Sequence, residues 1–89
     1  MPPFPIRLAA DLGQAVRQAR QDSGLRAVEV ARRSGRSRDL LYRLEQGGDV
    51  TTSALLDVLR AMGYALRIEK VGLPTLDEMR ERFKDLDED

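Results

Sequence analysis

Six arginines crowd one short stretch of this 89-residue chain: Arg26, Arg32, Arg33, Arg36, Arg38 and Arg43. A guanidinium donates parallel N–H groups, which suit both a phosphate and the two acceptors on the major-groove edge of guanine. Among them stand Ser37 and Tyr42, whose hydroxyls reach phosphates or base edges, and Asp39, which accepts from the amino group of cytosine. Between Arg26 and Arg43 only Glu29 and Asp39 offset the positive charge. Such a patch is the electrostatic footprint of nucleic-acid recognition. Other chemistry is poorly supplied. The chain has no Cys and no His, which removes disulfides, thiol chemistry, structural zinc and the commonest general base. Asp85, Asp87, Glu88 and Asp89 cluster, but nothing beside them holds a geometry. No phosphate-binding loop is present, and Gly47-Gly48 reads as the end of a helix. Neither an enzyme nor a metal or cofactor is expected.

For these side chains to act together, local elements must set them on one surface. Apolar spacing turns helical at Leu8, with Leu12, Ala15, Val16 and Ala19 on one stripe and Arg17, Gln18 and Gln21 opposite. Gly24 closes this helix. A short second helix follows Leu25, with Val30 and Ala31 inward and Gly35 as its stop. Ser37 suits the N-cap of a third helix carrying Leu41 and Leu44, which Gly47-Gly48 closes. Thr51 caps a fourth, with Leu55, Leu56, Leu59 and Met62 expected inside and Gly63 after them. Two short helices joined through a glycine turn place the second on the surface, where it fits a major groove. Ser37, Arg38, Asp39, Tyr42 and Arg43 then lie near its start or on the face away from Leu41 and Leu44.

After Gly63 the period changes from helical to two: Tyr64, Leu66 and Ile68 alternate with Ala65, Arg67 and Glu69, and Val71 continues the first face. A lone strand is unstable in water. Its partner is the Phe4–Leu8 stretch, the same strand in a second copy, or another protein; Pro5 weakens the first option and favours the second copy. Gly72-Leu73-Pro74 breaks the chain, and Thr75 with Glu78 makes a capping-box pattern. Leu76, Met79, Phe83 and Leu86 follow at helical spacing, an amphipathic stripe suited to a partner protein. The formal net charge is zero, but it is unevenly spread. Residues 1–74 hold 12 basic and 8 acidic side chains, a balance of +4, and residues 75–89 hold 3 and 7, a balance of −4. No apolar run approaches the roughly 20 residues of a membrane span. The opening Met1-Pro2-Pro3-Phe4-Pro5 lacks the charged start and apolar stretch of a signal peptide, so a cytoplasmic location without membrane contact is expected. The expected organisation is an N-terminal arm (1–7), a helical domain (8–63), a dimerising strand (64–72) and an acidic amphipathic tail (73–89).

Over residues 8–63 this order resembles the Xre/Cro family of helix-turn-helix regulators. The matching pieces are the Ala31-x-x-x-Gly35 turn, Gly35-x-Ser37, Leu41-x-x-Leu44-Glu45-x-Gly47, and Leu55-Leu56-x-x-Leu59 before Gly63. The resemblance implies a mostly α, lambda-repressor-like bundle of four short helices. It also implies a structural ion pair between Arg20 and Glu45, tying helix one to helix three. The sequence departs from the family's usual pattern at Ala27, where Gln is common, at Ser34 and Arg36 beside the turn glycine, and at Leu40. Met62-Gly63-Tyr64-Ala65-Leu66-Arg67-Ile68 further resembles the end of HipB-type antitoxins, where a strand pairs between subunits. Such proteins repress their own operon and hold a toxin, often a kinase-like one, inactive.

Together these readings point to a homodimeric repressor of double-stranded DNA, with Arg38, Tyr42 and Arg43 reading bases. Asp39 lies beside them, and Arg36, Ser37 and Thr51 stand near phosphates. Two-fold symmetry implies an inverted-repeat operator. The alternatives are a partner-binding module that keeps the fold but not DNA recognition, with Leu40 and the tail stripe as its contacts, and a phage-type repressor without a toxin.

Overall fold

A computed structural model describes residues 5–71. Over that span the chain folds into four helices: α1 (Ala9–Asp22), α2 (Ala27–Ser34), α3 (Arg38–Glu45) and α4 (Thr52–Ala61). Each starts on a polar side chain that satisfies amide groups the helix itself leaves open. The Asp11 carboxylate reaches back to the backbone N–H groups of Leu8 and Arg7 at 3.0 and 3.1 Å. Glu29 accepts from the Arg26 backbone N–H at 3.2 Å. The Ser37 hydroxyl accepts from Leu40 at 3.1 Å, and that of Thr51 from Ala54 at 3.2 Å.

All four helices also stop in one way. At the end of α2, Gly35 turns left-handed with φ +72°, and the N–H of Arg36 returns to the carbonyl of Ala31 at 3.1 Å. This closure caps carbonyls that would otherwise be orphaned, and glycine adopts the required φ without a steric penalty. The same six-residue bond joins Leu25 to Arg20, Gly48 to Arg43 and Tyr64 to Leu59. Each helix is too short to persist alone in water. Their stability therefore comes from burial of one face.

That shared core holds Val16, Val30, Leu41, Leu44 and Val58 fully buried, with Ala19, Leu59 and Met62 beside them. α1 packs on α3, and α2 packs on both α4 and α3. The α1–α3 contact is unusually close. A Cβ placed on Gly13 of α1 would lie 2.5 Å from the carbonyl oxygen of Glu45 and 2.7 Å from that of Leu44. One turn and a half further along α1, Arg20 grips Glu45 with two parallel bonds, Nε to Oε2 at 2.8 Å and Nη2 to Oε1 at 2.9 Å. The two side chains are 16% and 6% exposed. Hydrogen bonding to Glu45 raises the Arg20 pKa further, against the opposing effect of burial.

Several expectations change. Leu56 was expected inside but is 40% exposed, whereas Ala54 and Val58 are fully buried. Core positions 54, 55, 58, 59 and 62 sit within one arc of α4, and residue 56 lies about 130° from its centre at roughly 100° per residue. Leu8 caps α1 in an extended conformation, outside the buried stripe. Residues 64–71 form no strand among the described residues. Tyr64 packs against the core, but Leu66 and Val71 are exposed and Ile68 is 99% exposed. No backbone hydrogen bond joins this segment to Pro5–Leu8, the described part of the N-terminal stretch. The expectations for Phe4, for the capping box at Thr75 and Glu78, and for the acidic stripe of Leu76, Met79, Phe83 and Leu86 lie outside the described residues. No described helix is long and apolar enough to cross a membrane.

Gly13 yields a test with an inverted sign. In an exposed helix, Gly→Ala stabilises by about 1 kcal/mol. Here Gly13→Ala forces α1 away from α3 and should destabilise the fold by about 1–3 kcal/mol, the usual cost of overpacking. The measurement is urea unfolding followed by circular dichroism, and an unchanged or raised midpoint would refute the backbone-to-backbone contact.

Candidate nucleic-acid interface

α3 divides cleanly into two faces. Leu41 and Leu44 are buried, and Leu40 and Glu45 are half-buried on the flanks. Arg38, Asp39, Tyr42, Arg43 and the following residue Gln46 are exposed. At about 100° per residue these five positions fall within an arc of about 140°, so they form one continuous polar face. With 8 residues, α3 is about 12 Å long, which suits a major groove about 12 Å wide.

The six clustered arginines sort into distinct environments. Arg32 and Arg33 on α2 and Arg38 and Arg43 on α3 are exposed, and among the described residues they form no ion pair. Arg26 meets Glu29 at 3.1 Å on the open surface, and its hydrogen bonds lower the Glu29 pKa. Arg36 is engaged with Asp57 of α4, donating from Nε at 3.1 Å and Nη2 at 2.8 Å. Asp57 also accepts from Arg60. Asp39 forms no ion pair with its arginine neighbours, so the face keeps a net positive charge.

The remaining site residues have local duties as well. Ser37 and Thr51 use their oxygens as helix caps, which leaves each hydroxyl proton to donate. At the turn, the Ser34 hydroxyl donates to the Ala31 carbonyl at 3.1 Å and accepts from the Arg36 N–H at 3.2 Å. A side chain beside the glycine thus helps to fasten the turn. Arg43 rests its stem on the helix end: a Cβ on Gly48 would lie 2.6 Å from the Arg43 Cγ. Ala27 and Leu40 both pack against the core. Leu40 therefore belongs with the buried side of α3 rather than with its polar face.

Three features escaped the sequence reading. Gln46 stands one turn beyond Tyr42 on the same face, and that spacing was available to find it. Gly13 sits inside a helix, where glycine costs about 1 kcal/mol against alanine, so its presence was itself a signal of close approach. The Arg36–Asp57 pair spans 21 positions, and no local spacing points to it.

A family model described as a helix-turn-helix domain matches residues 11–67, from the first turn of α1 to just beyond α4. No curated protein matches closely enough to count as a relative. The glycine turn between α2 and α3, the exposed polar face of α3 and this match agree. The chain belongs to the helix-turn-helix domain family, of the Xre/Cro-like type, a DNA-binding fold.

Proposed function

We propose that this protein is a sequence-specific transcriptional repressor that binds DNA as a homodimer, and that it serves as the antitoxin of an operon it represses itself. The observation that carries the DNA reading is the polar face of α3 beside unpaired arginines of α2. In this reading α3 enters the major groove. Arg38 and Arg43 donate to guanine, Asp39 accepts from cytosine, and Tyr42 and Gln46 reach neighbouring edges. Arg36, Ser37 and Thr51 donate to phosphates on the flanks.

The dimer reading is supported by the segment after α4. Leu66 and Ile68 present apolar side chains to solvent, 49% and 99% exposed, in a stretch patterned as a strand. A second copy of that strand would satisfy its backbone and cover those residues, which places an inverted-repeat operator with half-sites about 34 Å apart. The antitoxin reading rests on resemblance beyond Met62 and on the Leu76, Met79, Phe83 and Leu86 stripe, which suits a kinase-like toxin in the cytoplasm.

The deciding experiment titrates the purified protein on the DNA just upstream of its own gene at several salt concentrations. Selective binding is expected, losing about 10³-fold between about 50 and 200 mM salt if about six cations of a dimer meet phosphates. Weak binding, equal on unrelated DNA, would instead favour a partner-binding module. In the same titration Arg43→Ala should cut the preference for the upstream site by about 10-fold, the worth of one guanine contact. Unchanged preference would remove Arg43 from the base readers. Truncation before Thr75 should leave DNA binding intact while abolishing co-purification with the neighbouring gene's product; retained co-purification would place the toxin contact elsewhere.

A further inference from the structure

Arg36 stands between the turn glycine and the cap of α3, and its guanidinium is held. Nε and Nη2 both donate to Oδ2 of Asp57. The other carboxylate oxygen accepts from Arg60, so Asp57 is restrained from both sides. These contacts use only one edge of the guanidinium. A guanidinium carries five N–H donors, and the outer edge, formed by Nη1 and the second N–H of Nη2, retains parallel donors. Among the described residues no acceptor meets that edge, and the Arg36 side chain is 33% exposed. α3 packs mainly on α1 and α2. The Arg36–Asp57 pair therefore adds a polar tie from the start of α3 to α4.

We propose that Asp57 is a positioning residue for DNA binding: it grips the inner edge of Arg36 and so aims the outer edge at a backbone phosphate beside the half-site occupied by α3. The inference rests on the DNA-binding reading above. A free arginine loses much rotamer freedom when it docks on a phosphate, and a side chain already held in place loses less. The opposing effect is simple repulsion, since a carboxylate near DNA disfavours the complex. Removing Asp57 raises the net charge by one, and long-range electrostatics alone would then tighten binding. The two effects have opposite signs.

The test compares wild type, Arg36→Ala, Asp57→Ala and the double variant, all as full chains, on the upstream DNA over a series of salt concentrations. Asp57→Ala should weaken binding by about 5- to 10-fold despite the added positive charge, as preorganisation requires. Arg36→Ala should weaken it by about 10-fold and lower the salt slope by about one per subunit. The double variant should bind no worse than Arg36→Ala, because Asp57 then has nothing to aim. Asp57→Ala binding that equals or exceeds wild type would overturn the proposal, as would losses that multiply in the double variant. Thermal unfolding runs alongside. A tie that serves stability alone would lower the melting temperature of both single variants while their affinity and salt slope stayed at wild type, and that result also overturns it. Should Asp57→Ala fail to fold, Asp57→Asn keeps an acceptor oxygen without the charge, and the same sign decides: weaker binding supports the aiming role, tighter binding overturns it. Wild-type protein without selective, salt-sensitive binding would sink the DNA reading and this inference together, whereas a binding wild type with an indifferent Asp57→Ala sinks only the inference.

Discussion

The contact between α1 and α3 is the constraint on which the rest depends. An eight-residue helix cannot hold its own direction in water, since it nucleates poorly and has few internal bonds. α3 acquires direction by lying backbone to backbone on α1 at Gly13, with Leu41 and Leu44 in the core and Glu45 gripped by Arg20. A close backbone approach admits little sliding, and a two-bond ion pair fixes rotation at one end. With its rear face committed this tightly, the outward set of side chains follows by helical geometry. Any reading of DNA by α3 inherits its accuracy from this buried side.

The start of α3 is fixed by different means. Gly35 turns the chain, the Ser34 hydroxyl fastens the turn, Ser37 caps the helix and Asp57 holds Arg36. These bonds are more exposed than the Arg20–Glu45 pair, and exposed ion pairs contribute little to stability. Their value lies in geometry: they join the turn to α2 on one side and to α4 on the other. The two ends of α3 are thus controlled by a buried strong tie and by a set of weaker exposed ones.

The legibility of the chain follows the range of its interactions. Helix limits were readable because caps and stops are local: Ser37, Thr51 and the glycines act within a few residues of themselves. The exposed face of α3 was readable because Leu41 and Leu44 set its phase. In α4 the phase was misjudged at Leu56, where a run of apolar residues gives no contrast, and the smaller Ala54 and Val58 took the core. The Asp57 partner of Arg36 was hidden because it depends on how α2 packs on α4. The strand pattern after Gly63 is a statement about pairing, and pairing of that segment is not satisfied among the described residues. Periodicity names the face that needs covering; it does not supply the cover.

Exposure divides one residue type into two kinds of work. Arg20 is buried against a carboxylate, where its fork gives two directed bonds and its charge is cancelled locally. Arg32, Arg33, Arg38 and Arg43 stand in solvent without acidic partners among the described residues, so their field extends outward. This explains how a chain of zero formal net charge presents a basic surface: part of its acid is spent inside the fold, as Glu45 and Asp57, and much of the remainder belongs to residues 75–89. Total charge sums over groups that never face the same neighbour. What an approaching polyanion meets is the arrangement on one face, and that arrangement is set by which arginines the core has already engaged.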